Sequence, residues 1–491
     1  MDLFARLSRQ GAMIERLSSD SRRSAPGDCF FAWPGEHGDG RDHIAQAIDR
    51  QVAAVVWERS GYEWRADWRV PNEGVEGLKG RAGALASAFH GRPSESLWVC
   101  GVTGTNGKTS CSQWLATLLA RAGARTAVIG TLGNGFPGAL AESRHTTPDA
   151  LEVQRLLAAF RVEGAQAVSM EVSSHGLVQD RVNGVAFRCA LFTNLSHDHL
   201  DYHGSMEAYA AAKSRLFEVP TLESAVLNLD DVLGVRLAQR LASRAVRTIG
   251  YALAPAALVP GCVTEHVVAK EIRFGAQATE VSLDSSWGEG EIRLRTLGRY
   301  NVANALGVLG CLLAYGLPFR DAAAALENLP EVPGRMQRLG GDAAPLLAID
   351  YAHTPDAIDK ALQALKPIAT ARGGKLVIVF GAGGDRDPSK RAFMGEAASR
   401  HADRIILTSD NPRSEEPAAI IEAIRGGVTA ACSIEPDRAA AIGEAVAFAS
   451  DADVVLIAGK GHEAFQEMAG ERRPFSDADC ARAALARRVT R

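Results

Sequence analysis

The apolar positions of this chain gather into short unbroken runs, not alternating ones. Between residues 96 and 230 these runs are SLWVC, TAVIG, AQAVSMEV, CALFTNL and SAVLNLD. Each is too short for a buried helix, and helix-length stretches lie between them, the pattern of strands covered on both faces. One such stretch starts at Lys108, carries Leu115, Leu118, Leu119 and Ala122 at helical spacing, and stops at Gly123. The pattern predicts a mainly parallel sheet with helices on both faces. From about Val332 it restarts with PLLAIDYAHTPD, KLVIVFGAGGDRD, RIILTSDNPR and DVVLIAGKGHE. In each, an apolar strand runs directly into a polar, charged loop. DAIDKALQALKPIA and EPAAIIEAIRGGV are helix-length stretches between them. Open α/β sheets bind ligands beyond the carboxyl ends of their strands, which is where all four loops fall. Before the first run, Gly91 and Pro93 break an alanine-rich helical stretch. The expected organisation is a smaller α/β domain over residues 1–92, a central domain over 93–332 and a Rossmann-like domain over 333–491.

Length supports this division, because 491 residues exceed what one core sustains. With 46% apolar residues, 23% charged residues and a net charge of −4, the chain reads as an ordinary soluble protein with no electrostatic footprint for nucleic acid or an anionic membrane. Its eight cysteines include no C-x-x-C pair, which points to neither a zinc cage nor a disulfide framework. The start, MDLFARLSRQGAMIERL, lacks the basic flank and apolar core of a signal peptide, and no apolar run is long enough to span a membrane. A cytoplasmic protein without membrane insertion is expected.

The chemistry begins at GVTGTNGKTS, residues 101–110. A glycine-rich loop between strand and helix turns backbone N–H groups onto a phosphate, Lys108 adds charge, and Thr109 offers a hydroxyl to a metal ion. The strict Walker pattern has glycine where Val102 stands, so the working glycines are Gly104 and Gly107. Lys108 reads as an exposed loop lysine of little consequence for packing. Glu171 in SMEVSSHGL stands where a buried strand emerges, and TNLSHDHLDYHG places His197, Asp198, His199 and Asp201 beyond the next. This grouping suits Mg²⁺ bridging nucleotide phosphates, or acids and imidazoles that bond one another. GSMEAYAAAKSRLFE is a helix capped by Ser205 with Leu216 and Phe217 on its apolar side, and Lys213, taken alone, reads as a solvated surface lysine. Asn301 and Asn304 share a helix face, where two amides read a nucleobase edge or serve as a cap and a buried amide. Arg335 in VPGRMQRL sits on a glycine turn between the second and third domains, placed for a phosphate or ribose, or for a surface ion pair.

GTNGKTS, EVSSHGLVQDRV, TNLSHDHLDYHG, YAAAKSRLF, GRYNVANA, VPGRMQ, DYAHTPDA, GGDRD, DNPR and GKGHE occur here in order, and this ordered set resembles the Mur ligases over essentially the whole chain. The resemblance implies three α/β domains that bind a UDP moiety, ATP and an incoming amino acid. It implies ATP-dependent addition of meso-diaminopimelate to the D-glutamate γ-carboxylate of UDP-N-acetylmuramoyl-L-alanyl-D-glutamate, through an acyl phosphate, in peptidoglycan precursor synthesis. A monomer is expected. Lys108, Lys213 and His199 are then catalytic, Lys213 as an N-carboxylated lysine. Thr109, Glu171, His199 and Lys213 match Mg²⁺ ligands. Gly104, Thr105, Asn106, Gly107, Lys108, Thr109, Ser110, Asn301, Arg335 and Asp350 match ATP contacts. Ser19, Ser21, Glu36, His37 and Gly38 lie where the uridine end is held, with Ser19 standing where an apolar residue is more usual. His145, Thr146, Thr147, Ser173, Gln179 and Arg181 match residues around the muramoyl peptide. Arg386, Asp410, Asn411, Pro412, Arg413, Gly459 and Glu463 match the diaminopimelate pocket. The resemblance leaves an L-lysine-adding relative and folylpolyglutamate synthetase as alternatives, although DNPR and the long N-terminal segment are not expected of the latter. A P-loop transport ATPase or switch is disfavoured, since neither LSGGQ nor N-K-x-D occurs.

Overall fold

The computed structural model describes residues 3–36, 38–143, 145–258, 261–275 and 278–489. Its contacts divide the chain into two compact units. The first comprises Met1–Thr103, Leu119–Leu191 and Ala210–Ala225; the second comprises Gly104–Leu118, Phe192–Tyr209 and Val226–Arg491.

In the first unit, four parallel strands, Arg16–Ser18, Asp28–Ala32, Ala54–Glu58 and Asn72–Val75, pair in that order. Every residue of the two middle strands is buried, because helices cover both faces. Glu58 ends its strand by accepting backbone N–H bonds from Gly77 at 3.2 Å and Leu78 at 2.6 Å, which caps the helix Leu78–Phe89 where Gly77 adopts a left-handed φ of 66°. That helix stops ahead of Gly91 and Pro93, as the sequence predicts. A second set of strands follows the spatial order Cys189–Phe192, Trp98–Thr103, Ala167–Glu171 and Thr126–Gly130, each on a predicted apolar run. An antiparallel hairpin, Gly133–Phe136 with Ala139–Ala141, extends it and departs from the expected parallel pattern.

The second unit contains a further departure. After Arg247–Ala252 come three strands the apolar runs do not mark: Glu265–Phe274, Thr279–Ser285 and Gly290–Leu294, the last two joined antiparallel. The C-terminal sheet has the order Gln337–Gly340, Leu346–Asp350, Val454–Ala458, Leu376–Phe380, Arg404–Leu407 and Cys432–Ile434, parallel except for its first strand. Helices Pro355–Ala371, Lys390–His401 and Pro417–Arg425 bury one face, and Arg438–Phe448 and Asp477–Val489 the other. Four predicted strands therefore lie side by side and end at one edge.

That edge is pinned from below by a fully buried ion pair. Arg438 Nε and Nη2 donate to Asp477 at 2.7 and 2.8 Å, and its other bonds reach the Ser409 and Ala458 carbonyls at 3.3 and 2.9 Å. Breaking such a pair leaves an uncompensated buried charge, so Arg438→Met is expected to cost about 3–5 kcal/mol of stability. Denaturant unfolding checks this, and Arg438→Met with Asp477→Leu should recover most of the loss.

Candidate active site

The phosphate loop forms where the strand Trp98–Thr103 gives way to the helix Lys108–Arg121. Gly104 and Gly107 have φ of 151° and 87°, and a Cβ on either would strike a neighbour: the Thr193 hydroxyl for Gly104 and the Asn304 amide for Gly107. Glycine is therefore required at both. The loop is braced by the segment after Cys189–Phe192. Asn194 receives the Thr105 N–H on its carbonyl at 2.8 Å and the Asn106 N–H on its side chain at 3.0 Å, and Ser196 N–H donates to the Thr105 hydroxyl at 3.0 Å. The Tyr209 hydroxyl lies 3.2 Å from that same Thr105 oxygen. Lys108 is half-buried, not exposed as expected, because its ammonium folds back onto the Gly104 and Thr105 carbonyls, both at 2.8 Å.

Arg335 reaches this loop. Its guanidinium donates to the Thr109 hydroxyl at 3.2 Å and stacks on Tyr351 with 4.7 Å to the ring centroid. Asp350 accepts the Met336 N–H at 2.8 Å; burial raises its pKa, and Arg335 opposes the rise. Ser110 is buried in the first turn of the helix. Asn301 and Asn304 lie inside the helix Arg299–Tyr315 and are buried, Asn301 donating to the Leu297 carbonyl at 2.8 Å. Asn304 presses against Gly107 of the loop, and its amide nitrogen donates to Asn301 Oδ1 at 3.3 Å.

His199 takes a left-handed φ of 54° ahead of the helix Leu200–His203, and its ring lies 3.4 Å from Asp198. The His199 backbone N–H also donates to Asp198 Oδ1 at 2.9 Å. Burial works against ionisation of Asp198, but His199, His353 and Lys108 outweigh it and hold its pKa below the usual carboxylate range. Two further groups here escape the sequence reading. His353 places Nδ1 2.7 Å from the Tyr351 carbonyl, and burial lowers its pKa; burial lowers that of Lys390 likewise, against the pull of Asp198.

In the first unit, Glu171 is fully buried at its strand end and accepts the Thr131 N–H at 2.9 Å and its hydroxyl at 3.1 Å. Thr131 is 3.0 Å from the Thr146 hydroxyl, and Thr147 donates to the Glu171 carbonyl at 2.9 Å while accepting the Ser173 N–H at 3.0 Å. Arg181 spans the Thr147 carbonyl, at 2.8 Å, and Gln179, which donates onward to Glu36 at 2.8 Å. Thr146, Thr147, Ser173, Gln179, Arg181 and Glu36 are therefore one connected network. Ser21 is buried and donates to Gln46 at 2.7 Å; Ser19, Gly38 and His145 are exposed. His37 lies outside the described residues. Lys213 is only 1% exposed, which corrects its reading as a surface lysine: Tyr209, Ala212, Lys213, Leu216 and Phe217 fall on the inward face of the helical stretch.

At the C-terminal sheet edge, Asp410 and Asn411 are buried, and Asn411 donates to Glu463 at 2.7 Å. Gly459, at φ 114°, passes so close to the Asp410 carboxylate that a Cβ would collide with it. Arg413 has a φ of 53°, donates through Nη1 to the Gly384 carbonyl at 2.6 Å and lies 4.0 Å from Glu467. The Gly384 N–H bonds the Asn411 carbonyl at 2.9 Å, and Pro412 packs its carbonyl against Gly384, which joins the GGDRD and DNPR loops. Arg386 is exposed beside them.

His462 supplies a pH probe. Burial, aided by Arg335 and Lys460, drives its pKa from 6.5 to about 4. The unfolded chain takes up this proton near 6.5 and the folded protein resists until about 4, so this contribution to stability is full above 6.5 and declines as pH falls through that window. In His462→Gln the fall in melting temperature across the window should be shallower; an unchanged slope would contradict the assignment.

Family models match three stretches of the chain: the Mur ligase family, catalytic domain, at residues 13–90; the Mur ligase middle domain at 102–312; and the Mur ligase, glutamate ligase domain, at 334–461. UDP-N-acetylmuramoyl-L-alanyl-D-glutamate–2,6-diaminopimelate ligase of Chromobacterium violaceum is 49% identical over 483 residues, covering 98% of this chain and 96% of that protein. The protein of the same name from Pseudomonas aeruginosa is 49% identical over 476 residues, covering 96% and 95%. A solved structure of a ligase of that name matches with a TM-score of 0.70 and 34% identity, covering 97% of this chain and 95% of the other. MurF of Acinetobacter baumannii, at 20% identity and a TM-score of 0.66 over 99% and 98%, shares the fold. No helix among the described residues is long and apolar enough to cross a membrane. By these matches along nearly its full length, the chain belongs to the Mur ligase family.

Proposed function

We propose that this chain is an ATP-dependent ligase that joins meso-diaminopimelate to the D-glutamate γ-carboxylate of UDP-N-acetylmuramoyl-L-alanyl-D-glutamate, acting as a cytoplasmic monomer in peptidoglycan precursor synthesis. Residues 1–92 hold the uridine end, 93–332 hold ATP, and 333–491 hold the amino acid. The observation that carries this reading is the acceptor edge. There Asp410, Asn411, Arg413 and Glu463 gather on parallel strand ends, in the same unit as a phosphate loop that Arg335 touches at Thr109. A second amino-acid head, with its ammonium and carboxylate, needs such a mixture of acid, amide and guanidinium.

The γ-phosphoryl group passes from ATP to the substrate carboxylate, giving ADP and an acyl phosphate. The diaminopimelate amine then attacks the acyl carbon, the tetrahedral intermediate expels phosphate, and the nitrogen loses a proton. Both reacting partners of the first step are anionic, so Lys108 and Arg335 serve by neutralising charge as it shifts. Asn194, Ser196 and Tyr209 keep the loop's shape, so its N–H groups need no reorganisation. Thr146, Thr147, Ser173, Gln179 and Arg181 orient the muramoyl peptide. Thr109, Glu171, His199 and an N-carboxylated Lys213, whose donors are mainly hard oxygens, are the residues that would hold Mg²⁺. When bound, Mg²⁺ supplies further charge neutralisation at the phosphates.

Phosphate release tests the proposal: it should require ATP, the UDP-muramoyl dipeptide and the amino acid together. Release undiminished without the dipeptide would refute it.

A further inference from the structure

Lys460 belongs to none of the roles above, yet it is fully buried beside the acceptor pocket. Gly459 and Gly461 flank it, with φ of 114° and 54°, backbone conformations that turn this single side chain inward. Its ammonium donates to Asn411 Oδ1 at 2.9 Å and to Glu463 Oε2 at 3.0 Å, and stands 5.7 Å from the Phe465 ring centroid. Asn411 Oδ1 also accepts the Glu467 N–H at 2.9 Å, so two donors fix the oxygen end of the amide. Its nitrogen end is thereby turned to Glu463 Oε2 at 2.7 Å. Rotating the amide by half a turn would set an NH₂ against an ammonium and an N–H, with no acceptor between them. Glu463 is the carboxylate paired with this buried charge, and among the described residues no hydrogen bond engages its second oxygen, Oε1.

We infer that Lys460 is a positioning residue for the acceptor pocket, holding the Asn411 amide and the Glu463 carboxylate in the arrangement that receives the ammonium of the amino acid. It acts through those two residues and does not touch substrate. This rests on the proposed function, since it takes the DNPR and GKGHE loops as the diaminopimelate site. A half-buried carboxylate that loses its paired buried cation, and an amide released to rotate, lose the geometry of the pocket, whereas the nucleotide loop keeps its own bracing by Asn194, Ser196 and Tyr209.

The test is steady-state kinetics of the full chain with ATP, UDP-muramoyl dipeptide and meso-diaminopimelate. Lys460→Met is expected to raise the KM for meso-diaminopimelate by about 30-fold or more, with kcat within about 3-fold and the KM for ATP unchanged. Glu463→Gln should then have a much smaller effect on that KM in the Lys460→Met background than in the wild type, the mark of residues acting as a unit. Lys460→Gln, which keeps a donor but no charge, gives the same readouts if Lys460→Met fails to fold. Unchanged KM for meso-diaminopimelate in a folded variant, a parallel rise for ATP, or additive effects of the two substitutions would overturn the inference alone. Absence of meso-diaminopimelate turnover in the wild type would overturn the proposed function, and this inference with it.

Discussion

Lys108→Ala is expected to lower the ligation rate by at least about 10²–10³-fold while leaving circular dichroism unchanged. The loss of rate follows from position: the ammonium lies at a loop whose Gly104 and Gly107 cannot carry side chains, where it would meet a phosphate seated in that loop. The intact fold follows from how the loop is held. Its shape depends on Asn194, Thr193, Ser196 and Tyr209, and the bonds from Lys108 to the Gly104 and Thr105 carbonyls can pass to water in a half-buried site. Melting temperature should therefore move by no more than a few degrees, roughly what the loss of one partly exposed hydrogen bond gives. Near-normal turnover in a folded variant would take the loop lysine out of the mechanism.

Arg413→Ala should weaken the use of meso-diaminopimelate by about 10- to 10³-fold, the effect of losing a guanidinium that pairs with a carboxylate. The apparent affinity for ATP should hardly change. The Gly384 carbonyl, the left-handed backbone at Arg413 and the turn made by Pro412 aim this side chain, so its fork is ordered before substrate arrives. Arg413→Lys should restore little, because an ammonium cannot reproduce two parallel bonds. The measurement is kcat/KM for meso-diaminopimelate and for L-lysine in both variants; a substrate preference unchanged by Arg413→Ala would contradict the assignment.

The elements legible in the sequence were those whose burial is continuous. Cys189–Phe192, Ala167–Glu171 and Val454–Ala458 are buried at every position, so they stand out as apolar runs, and the polar loops that follow them mark the ligand edge. Thr279–Ser285 was missed because its even positions are not fully buried: it alternates, and a search for unbroken apolar runs passes over a period of two. The phosphate loop was legible because its chemistry is local in sequence. Lys213 was not, since an alanine-rich helix gives no contrast between its inner and outer faces, and only packing reveals which way that side chain points. Lys460, between two glycines, reads as an ordinary loop lysine; its burial depends on Asn411 and Glu463, and Asn411 lies 49 residues away. Asn194 braces the phosphate loop from 88 residues away, partly through its backbone, which no residue pattern records.

The most direct measurement offers meso-diaminopimelate, L-lysine and L-ornithine together, at equal concentration, with ATP and UDP-N-acetylmuramoyl-L-alanyl-D-glutamate, and reads product masses and released phosphate. The pocket described here predicts one product that dominates, the meso-diaminopimelate adduct, with one phosphate released for each amide bond formed. A dominant L-lysine adduct, or phosphate released without any adduct, would contradict it.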